Sequence, residues 1–264
     1  MTEERMEIKT CEVKEQRMKA LDLLKNNKPP KILIYGAGGT GKTALVSQAS
    51  RGYLMDFDDG MRTAARLEDQ WSPLRQEIEF DCYAEENPQR PLAWLKAKAK
   101  LISIMNECNK GTWSYDCLVI DSLSGLAEVA QNQIMAACNK PMGKPEIREW
   151  GMIVSEVENA IQIIKCIPTL VLITAHELPI VVDGDTRMKI LAPGTKLPAK
   201  IPTWFDEVWY AKTRRGAGRN PNNYIVSGRK TSSIEARTRS GMDSDVTHNE
   251  LGLAGVLNEI GFTY

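Results

Sequence analysis

Eight consecutive residues, Gly36-Ala37-Gly38-Gly39-Thr40-Gly41-Lys42-Thr43, have the spacing G-x-x-x-x-G-K-T. Their types define a chemistry. Glycines lack the Cβ that restricts backbone dihedrals, so successive N–H groups can turn inward around an anion. Lys42 adds a charge that reaches the β and γ oxygens of a nucleoside triphosphate, and the Thr43 hydroxyl is a hard oxygen suited to magnesium. Ala44 is the last of the expected nucleotide-binding positions, on the helix that begins at Thr43 and whose positive end faces the same anion. Downstream, Leu118-Val119-Ile120 leads into Asp121, an apolar strand that delivers a carboxylate to the metal shell. ATP and magnesium are the expected cofactors.

Bringing these groups together requires buried strands that end side by side. Lys31 to Tyr35 is a short apolar run, as in a strand buried on both faces of a parallel sheet. A helix is expected from Thr43 to about Ser50, then a strand from Tyr53 to Phe57 ending in the acidic turn Asp58-Asp59-Gly60. Glu77 to Tyr83 forms a third strand. Leu92, Leu95, Leu101, Ile102 and Met105 mark an amphipathic helix over Leu92 to Cys108. Asp116 to Ile120 and Thr169 to Thr174 are buried strands; Leu123 to Ala137 and Glu146 to Ile167 are helices. Alternating strands and helices imply right-handed crossovers and a mainly parallel sheet. After His176 the pattern shifts to short runs, Ile180 to Val182, Lys189 to Leu191, Glu207 to Ala211 and Tyr224 to Ser227, which suggest hairpins. A last helix covers Asn249 to Ile260. Met18, Leu21 and Leu24 predict a helix between Glu12 and Lys25, making 1–28 a helical extension of one domain over 1–264.

The composition fits a soluble globular chain: 264 residues, 42% hydrophobic and 26% charged, enough for one core. Cys11, Cys82, Cys108, Cys117, Cys138 and Cys166 form no C-x-x-C pair, which points to free thiols of a reducing compartment and away from a zinc site. The charged start has no apolar run after it, and no stretch is long enough to span a bilayer, so the expected location is cytoplasmic. The net charge is zero but uneven: acids dominate from Leu54 to Arg90, bases from Arg187 to Arg239. Such asymmetry hints at polyanion binding, though solvated loops produce it too.

Asp121 is followed by Ser122, not by an acid. Ring ATPases of the AAA+ type usually place their water-activating Glu directly after that Asp, so the chain resembles them poorly. RecA-type ATPases put the base at the end of the strand after the phosphate-loop helix, where this sequence has Leu54-Met55-Asp56-Phe57-Asp58-Asp59-Gly60. Together with Val119 to Ser122, Thr174-Ala175-His176-Glu177, Phe205-Asp206-Glu207-Val208-Trp209 and Ile234 to Arg239, this block resembles the phage-encoded RecA-like ATPases of the Sak single-strand annealing group, relatives of RecA and RadA. The matching pieces span most of the chain.

That resemblance implies an α/β RecA-like P-loop NTPase core, a mostly parallel sheet flanked by helices, with C-terminal β-hairpins. It further implies a single-stranded DNA binder, dependent on or modulated by ATP, acting in phage recombination or replication in the host cytoplasm. Asp58 falls where the family has its catalytic Glu. Aspartate is one methylene shorter, so slow or absent turnover is the alternative, and Asp59 is the neighbouring candidate. His176 and Glu177 fall where such proteins sense the γ-phosphate. Lys140, Lys144 and Arg148, with Trp150, and Arg187, Lys189, Lys196 and Lys200 fall at the positions of DNA loops. There lysines neutralise phosphates and an aromatic stacks on any base. Arg237 and Arg239 fall at the family's trans-acting pair, which makes the active form a filament or ring. A single-strand-binding protein is a further expected partner. Two other readings compete: a nucleotide-gated annealing module that hardly cleaves ATP, and a small-molecule P-loop kinase, which lacks an arginine-rich lid.

Overall fold

The first strand, β1 (Lys31–Gly36), is buried at every position because its side chains feed two cores at once. Leu33 and Tyr35 point into one, Ile32 and Ile34 into the other. β4 (Cys117–Asp121) alternates the same way, with Leu118 and Ile120 on the first face and Cys117 and Val119 on the second. Burying one such side chain stabilises the fold by about 1.5–3 kcal/mol, so this two-faced pattern leaves a central strand no other place. In the computed structural model residues 28–65, 78–216, 222–242 and 244–264 are described, and the helix expected between Glu12 and Lys25 lies outside them.

Among the described residues the sheet has nine strands. Across it run β3 (Glu79–Cys82), β2 (Gly52–Asp56), β4, β5 (Leu170–Val182), β1, β7 (Glu207–Arg215), β8 (Asn222–Ser227) and β9 (Asp245–Thr247), with β6 (Asp185–Ile190) attached to β5. From β3 to β7 the pairings are parallel; β7–β8–β9 and β5–β6 are antiparallel. One strand, β5, separates the strand that leads into the phosphate loop from the strand that ends at Asp121. Both groups therefore leave the same edge of the sheet, where open α/β sheets place their ligands. This is the expected α/β P-loop architecture, a mostly parallel sheet flanked by helices, with the expected C-terminal hairpins.

Helices cover both faces. On the first lie α3 (Ala93–Lys110), α4 (Leu123–Ala137) and α5 (Ile147–Cys166); on the second lie α1 (Lys42–Val46) and α7 (His248–Glu259). Two further short helices are α2 (Met61–Ala64) and α6 (Leu197–Lys200). The buried face of α3 is Trp94, Ala97, Leu101 and Ile104, whereas Leu95 and Ile102, expected to be apolar contacts, are exposed. Trp94 decides the rotation, since it is the largest apolar group on the helix and its Nε1 also reaches Glu156 on α5.

Of the boundaries that differ from expectation, two bear on the phosphate site. α1 stops at Val46 instead of Ser50, because Gln48 and Ala49 donate to Leu45 and Val46 in tighter three-residue turns that lead straight into β2. β5 runs through His176 to Val182 instead of ending there. β1 accompanies it only as far as the Gly36–His176 pair, and from Glu177 onward β6 supplies the hydrogen bonds. No described helix is long and apolar enough to cross a membrane.

Candidate functional site

Gly36 ends β1 against Ala211 of β7, and a Cβ there would come within 2.2 Å of the Ala211 carbonyl. Gly39 and Gly41 take φ of 75° and 80°, left-handed values at which other residues are strained. The chain can therefore curl tightly enough to bring Lys42 over its own loop. Lys42 is buried, and its Nζ donates to the Gly36 and Ala37 carbonyls at 2.9 and 2.8 Å, while the Thr40 hydroxyl donates to Ala37 at 2.8 Å. Burial lowers the Lys42 pKa; the charges of Asp121, Glu177 and Asp58 oppose that shift. These three carboxylates place Lys42 at the centre of the site. α1 is only five residues long, so the loop N–H groups and Lys42 outweigh the helix dipole in attracting an anion.

Thr43 Oγ1 donates to Asp121 Oδ2 at 2.8 Å, and the Thr174 hydroxyl, from β5, donates to Oδ1. Burial raises the Asp121 pKa, against the opposing effect of both hydroxyls. These hard oxygens suit magnesium. The space beside them is kept open by Gly60, where a Cβ would lie 3.0 Å from Asp121 Oδ2 and 3.6 Å from Thr43 Oγ1. The residues present fit the ion.

The acidic turn after β2 divides its labour. Asp56 is buried and accepts from the N–H groups of Asp58, Gly60 and Met61 at 3.0–3.1 Å, so it builds the turn. Asp59, with φ of 55°, pairs with Arg62 at 3.1 Å at the rim of the same turn. Asp58 points inward, and its Oδ2 lies 3.1 Å from His176 Nε2. Burial works against its charge, but hydrogen bonds from His176 and Ser122, with the charge of Lys42, hold its pKa below the usual carboxylate value. Gly125 on α4 makes room, because a Cβ there would sit 2.2 Å from Asp58 Oδ1. The Ser122 side chain also caps α4 by accepting from Gly125 N at 3.1 Å, so the position after Asp121 is occupied by a cap.

His176 is fixed through its backbone, whose N–H donates to Ser124 Oγ at 3.0 Å and whose carbonyl accepts from Leu191 at 2.8 Å. Glu177 accepts from the Tyr210 hydroxyl at 2.8 Å. A cavity of about 470 Å³ opens beside Asp58 and His176, lined also by Asp59, Glu85, Glu128 and Asn132.

The remaining candidates lie apart from this cluster. Lys140 pairs with Glu146 and Glu149, both at 3.1 Å, Lys189 with Glu235 at 3.6 Å, and Lys200 with Glu158 at 2.9 Å. Lys144, Arg148 and Lys196 are exposed and, among the described residues, make no ion pair, and the buried Arg187 Nε has no partner among them. Arg237 donates to the Thr203 and Pro202 carbonyls at 2.9 and 3.4 Å, and Arg239 pairs with Asp206 at 2.8 Å. Glu207 is buried and accepts from the N–H groups of Arg239 and Ser240. The Phe205 to Trp209 block is thus a clamp that anchors the 237–240 segment to the sheet.

Sequence reasoning held Thr174, Ser122 and Gly60 only as members of the resembling motifs, without a role, and missed Gly125 and Tyr210. A glycine two residues into an apolar helical pattern, as at Gly125, was a legible signal of close approach; the others needed the register.

A family described as an AAA domain matches residues 28–240. Among solved structures, the flagellar accessory protein FlaH from Methanocaldococcus jannaschii is similar, with 12% identity over 78% of this chain and 82% of that one and a TM-score of 0.36. No curated protein sequence matches the chain.

Proposed function

The chain belongs to the AAA domain family, and we propose that it is an ATP- and magnesium-binding RecA-like ATPase that binds single-stranded DNA under nucleotide control and promotes annealing or recombination of phage DNA. Thr43 and Asp121 would hold magnesium, whose positive charge offsets that of the phosphate oxygens. Lys42 and the loop N–H groups bind the β and γ oxygens. Asp58 accepts a hydrogen bond from an attacking water and orients it, with His176 fixing the carboxylate.

One observation carries the link to DNA. β5 is continuous from Leu170 to Val182, so the strand that sets His176 opposite Gly36 and beside Asp58 is also one limb of the hairpin bearing Arg187 and Lys189. A small shift at His176 has a stiff route to that hairpin. Lys144, Arg148 and Lys196 are the side chains readiest to meet phosphates, since Lys140, Lys189 and Lys200 must first exchange a carboxylate. The cavity beside Asp58 carries four carboxylates, Asp58, Asp59, Glu85 and Glu128, and is a poor path for a polyanion. A ring or filament using Arg237 and Arg239 in trans requires Arg239 to leave Asp206 and Arg237 to leave its two carbonyls.

The test is an anisotropy titration of a labelled oligonucleotide with and without ATP and magnesium, repeated across salt. Binding should tighten with nucleotide and weaken with salt at a log–log slope of about −0.7 per phosphate contacted. No binding at low salt in either condition rejects the DNA assignment. A second reading, a nucleotide-gated binder with little turnover, draws on the lowered Asp58 pKa, which makes that carboxylate a weak base. ATP turnover with and without single-stranded DNA separates the two.

A further inference from the structure

A histidine that this chemistry does not use lies under the phosphate loop. His248 opens α7, and its ring sits 6.0 Å from that of Tyr224 on β8. Both rings press on Gly41: a Cβ built there would lie 2.8 Å from Tyr224 Cδ1, 2.9 Å from His248 Cε1 and 3.2 Å from His248 Nε2. His248 is fully buried, and among the described residues neither Nδ1 nor Nε2 has a partner at ordinary hydrogen-bond distance and angle. The Thr40 carbonyl is near enough to raise the ring's proton affinity but falls short of a well-formed hydrogen bond.

A neutral imidazole has one donor and one acceptor, and burying both unpaired is destabilising and rare. An apolar side chain of similar shape would pack as well without that cost. The position therefore calls for an explanation, and the planarity of the peptide bond supplies one. In a trans peptide the Thr40 carbonyl and the Gly41 N–H point in opposite directions. A donor that holds the carbonyl outward, toward α7, holds the Gly41 N–H inward, toward an anion cradled by the loop.

We propose that His248 is a positioning residue of the phosphate loop: when the loop closes on phosphate oxygens, the ring N–H donates to the Thr40 carbonyl and so aims the Gly41 N–H at the anion. The proposal rests on the nucleotide reading given above. It also ties the C-terminal helix to the site. The Leu253 N–H of α7 donates to Gln48 Oε1, just beyond α1, at 2.9 Å, so α7 is anchored on both sides of the short helix it backs.

The experiment uses the full chain labelled with ¹⁵N in its two histidines, His176 and His248. His248→Phe identifies the His248 signals. Adding MgADP should shift the His248 N–H downfield and slow its exchange with water. In parallel, MgADP affinity is measured for the wild type, His248→Phe and His248→Gln. The phenylalanine variant should bind roughly five- to tenfold more weakly, the worth of one neutral hydrogen bond, and the glutamine variant should recover to within about twofold through its amide N–H. A role limited to packing would move the thermal midpoint without this order of affinities. A wild type that binds MgADP with no change at His248, or variants that all bind equally, would overturn the proposal, and the NMR arm decides even if a variant fails to fold. A folded wild type with no affinity for MgADP would instead reject the nucleotide reading and this proposal with it.

Discussion

Acid should destabilise this protein through one buried imidazole. Burial holds the His248 pKa down at about 4, against 6.5 for the free side chain. Contact with the Thr40 carbonyl opposes that shift without cancelling it, and among the described residues Gly41 and Tyr224 also face the ring. The sign follows from which state takes up the proton. Below 6.5 the unfolded chain protonates this histidine while the folded chain does not, so stability is full above 6.5 and falls as the pH drops toward 4. With about 1.4 kcal/mol for each tenfold difference in proton affinity, the loss is about 2 kcal/mol at pH 5 and about 3 kcal/mol near pH 4. Urea unfolding at pH 7.5, 6, 5 and 4.5 measures it, and 2 kcal/mol corresponds to a midpoint shift of roughly 1 M. Carboxylates with lowered pKa values, such as Asp58 and Asp245, also lose stability in acid, but they do so equally in His248→Phe. The difference between the wild-type and variant curves isolates the histidine. Parallel curves would refute the argument.

Further expectations concern the site itself. Lys42→Ala should retain the fold and lose nucleotide binding, as read by calorimetry, because its Nζ is the charge held over the loop carbonyls; equal affinity would sink the phosphate-loop assignment. Asp58→Asn should spare MgATP binding and cut any turnover by about a hundredfold, the scale of a positioned base, whereas Asp59→Asn, already turned toward Arg62, should be near wild type. Gly125→Ala should resemble Asp58→Asn, since a methyl at 2.2 Å must displace that carboxylate; unaltered turnover would show that Asp58 tolerates another position. Replacing Lys144, Arg148 and Lys196 together by Ala should flatten the salt dependence of oligonucleotide binding and weaken all sequences alike, which anisotropy at several salt concentrations reads directly.

The phosphate loop and the Asp121 strand were legible in the sequence because each is local: glycine spacing and an unbroken apolar run carry their own geometry. Helix rotation was less so. The apolar stripe on α3 could be drawn through Leu95 and Ile102 or through Trp94 and Ile104, and only the partner surface, including Glu156, chooses. The extent of β5 was hidden for a similar reason. A strand ends where its neighbours stop supplying hydrogen bonds, and β6, which prolongs it, is joined through a turn at Asp183 and Gly184 that carries no apolar signal. The Phe205 to Trp209 block was visible as a pattern, yet its work was not, because Glu207 serves backbone groups more than thirty residues away.

His248 shows the same limit from the other side. Nothing near it in sequence marks it, since it lies over two hundred residues from Gly41 and opens an unremarkable helix. Its importance arises only when β7, β8 and β9 carry the chain past β1 and return α7 beneath α1. The antiparallel strands at this edge therefore do more than close the sheet: they bring Tyr224 and His248 under the loop on one flank, while β5 brings His176 to it on the other. A ligand that tightens the Thr40–Gly41 peptide against His248 must also stabilise α7 by the same free energy, because the coupling is reciprocal. On the proposed reading, the C-terminal helix and the β5–β6 hairpin respond to one phosphate site through separate strands, so variants at His248 and at Lys189 should act independently.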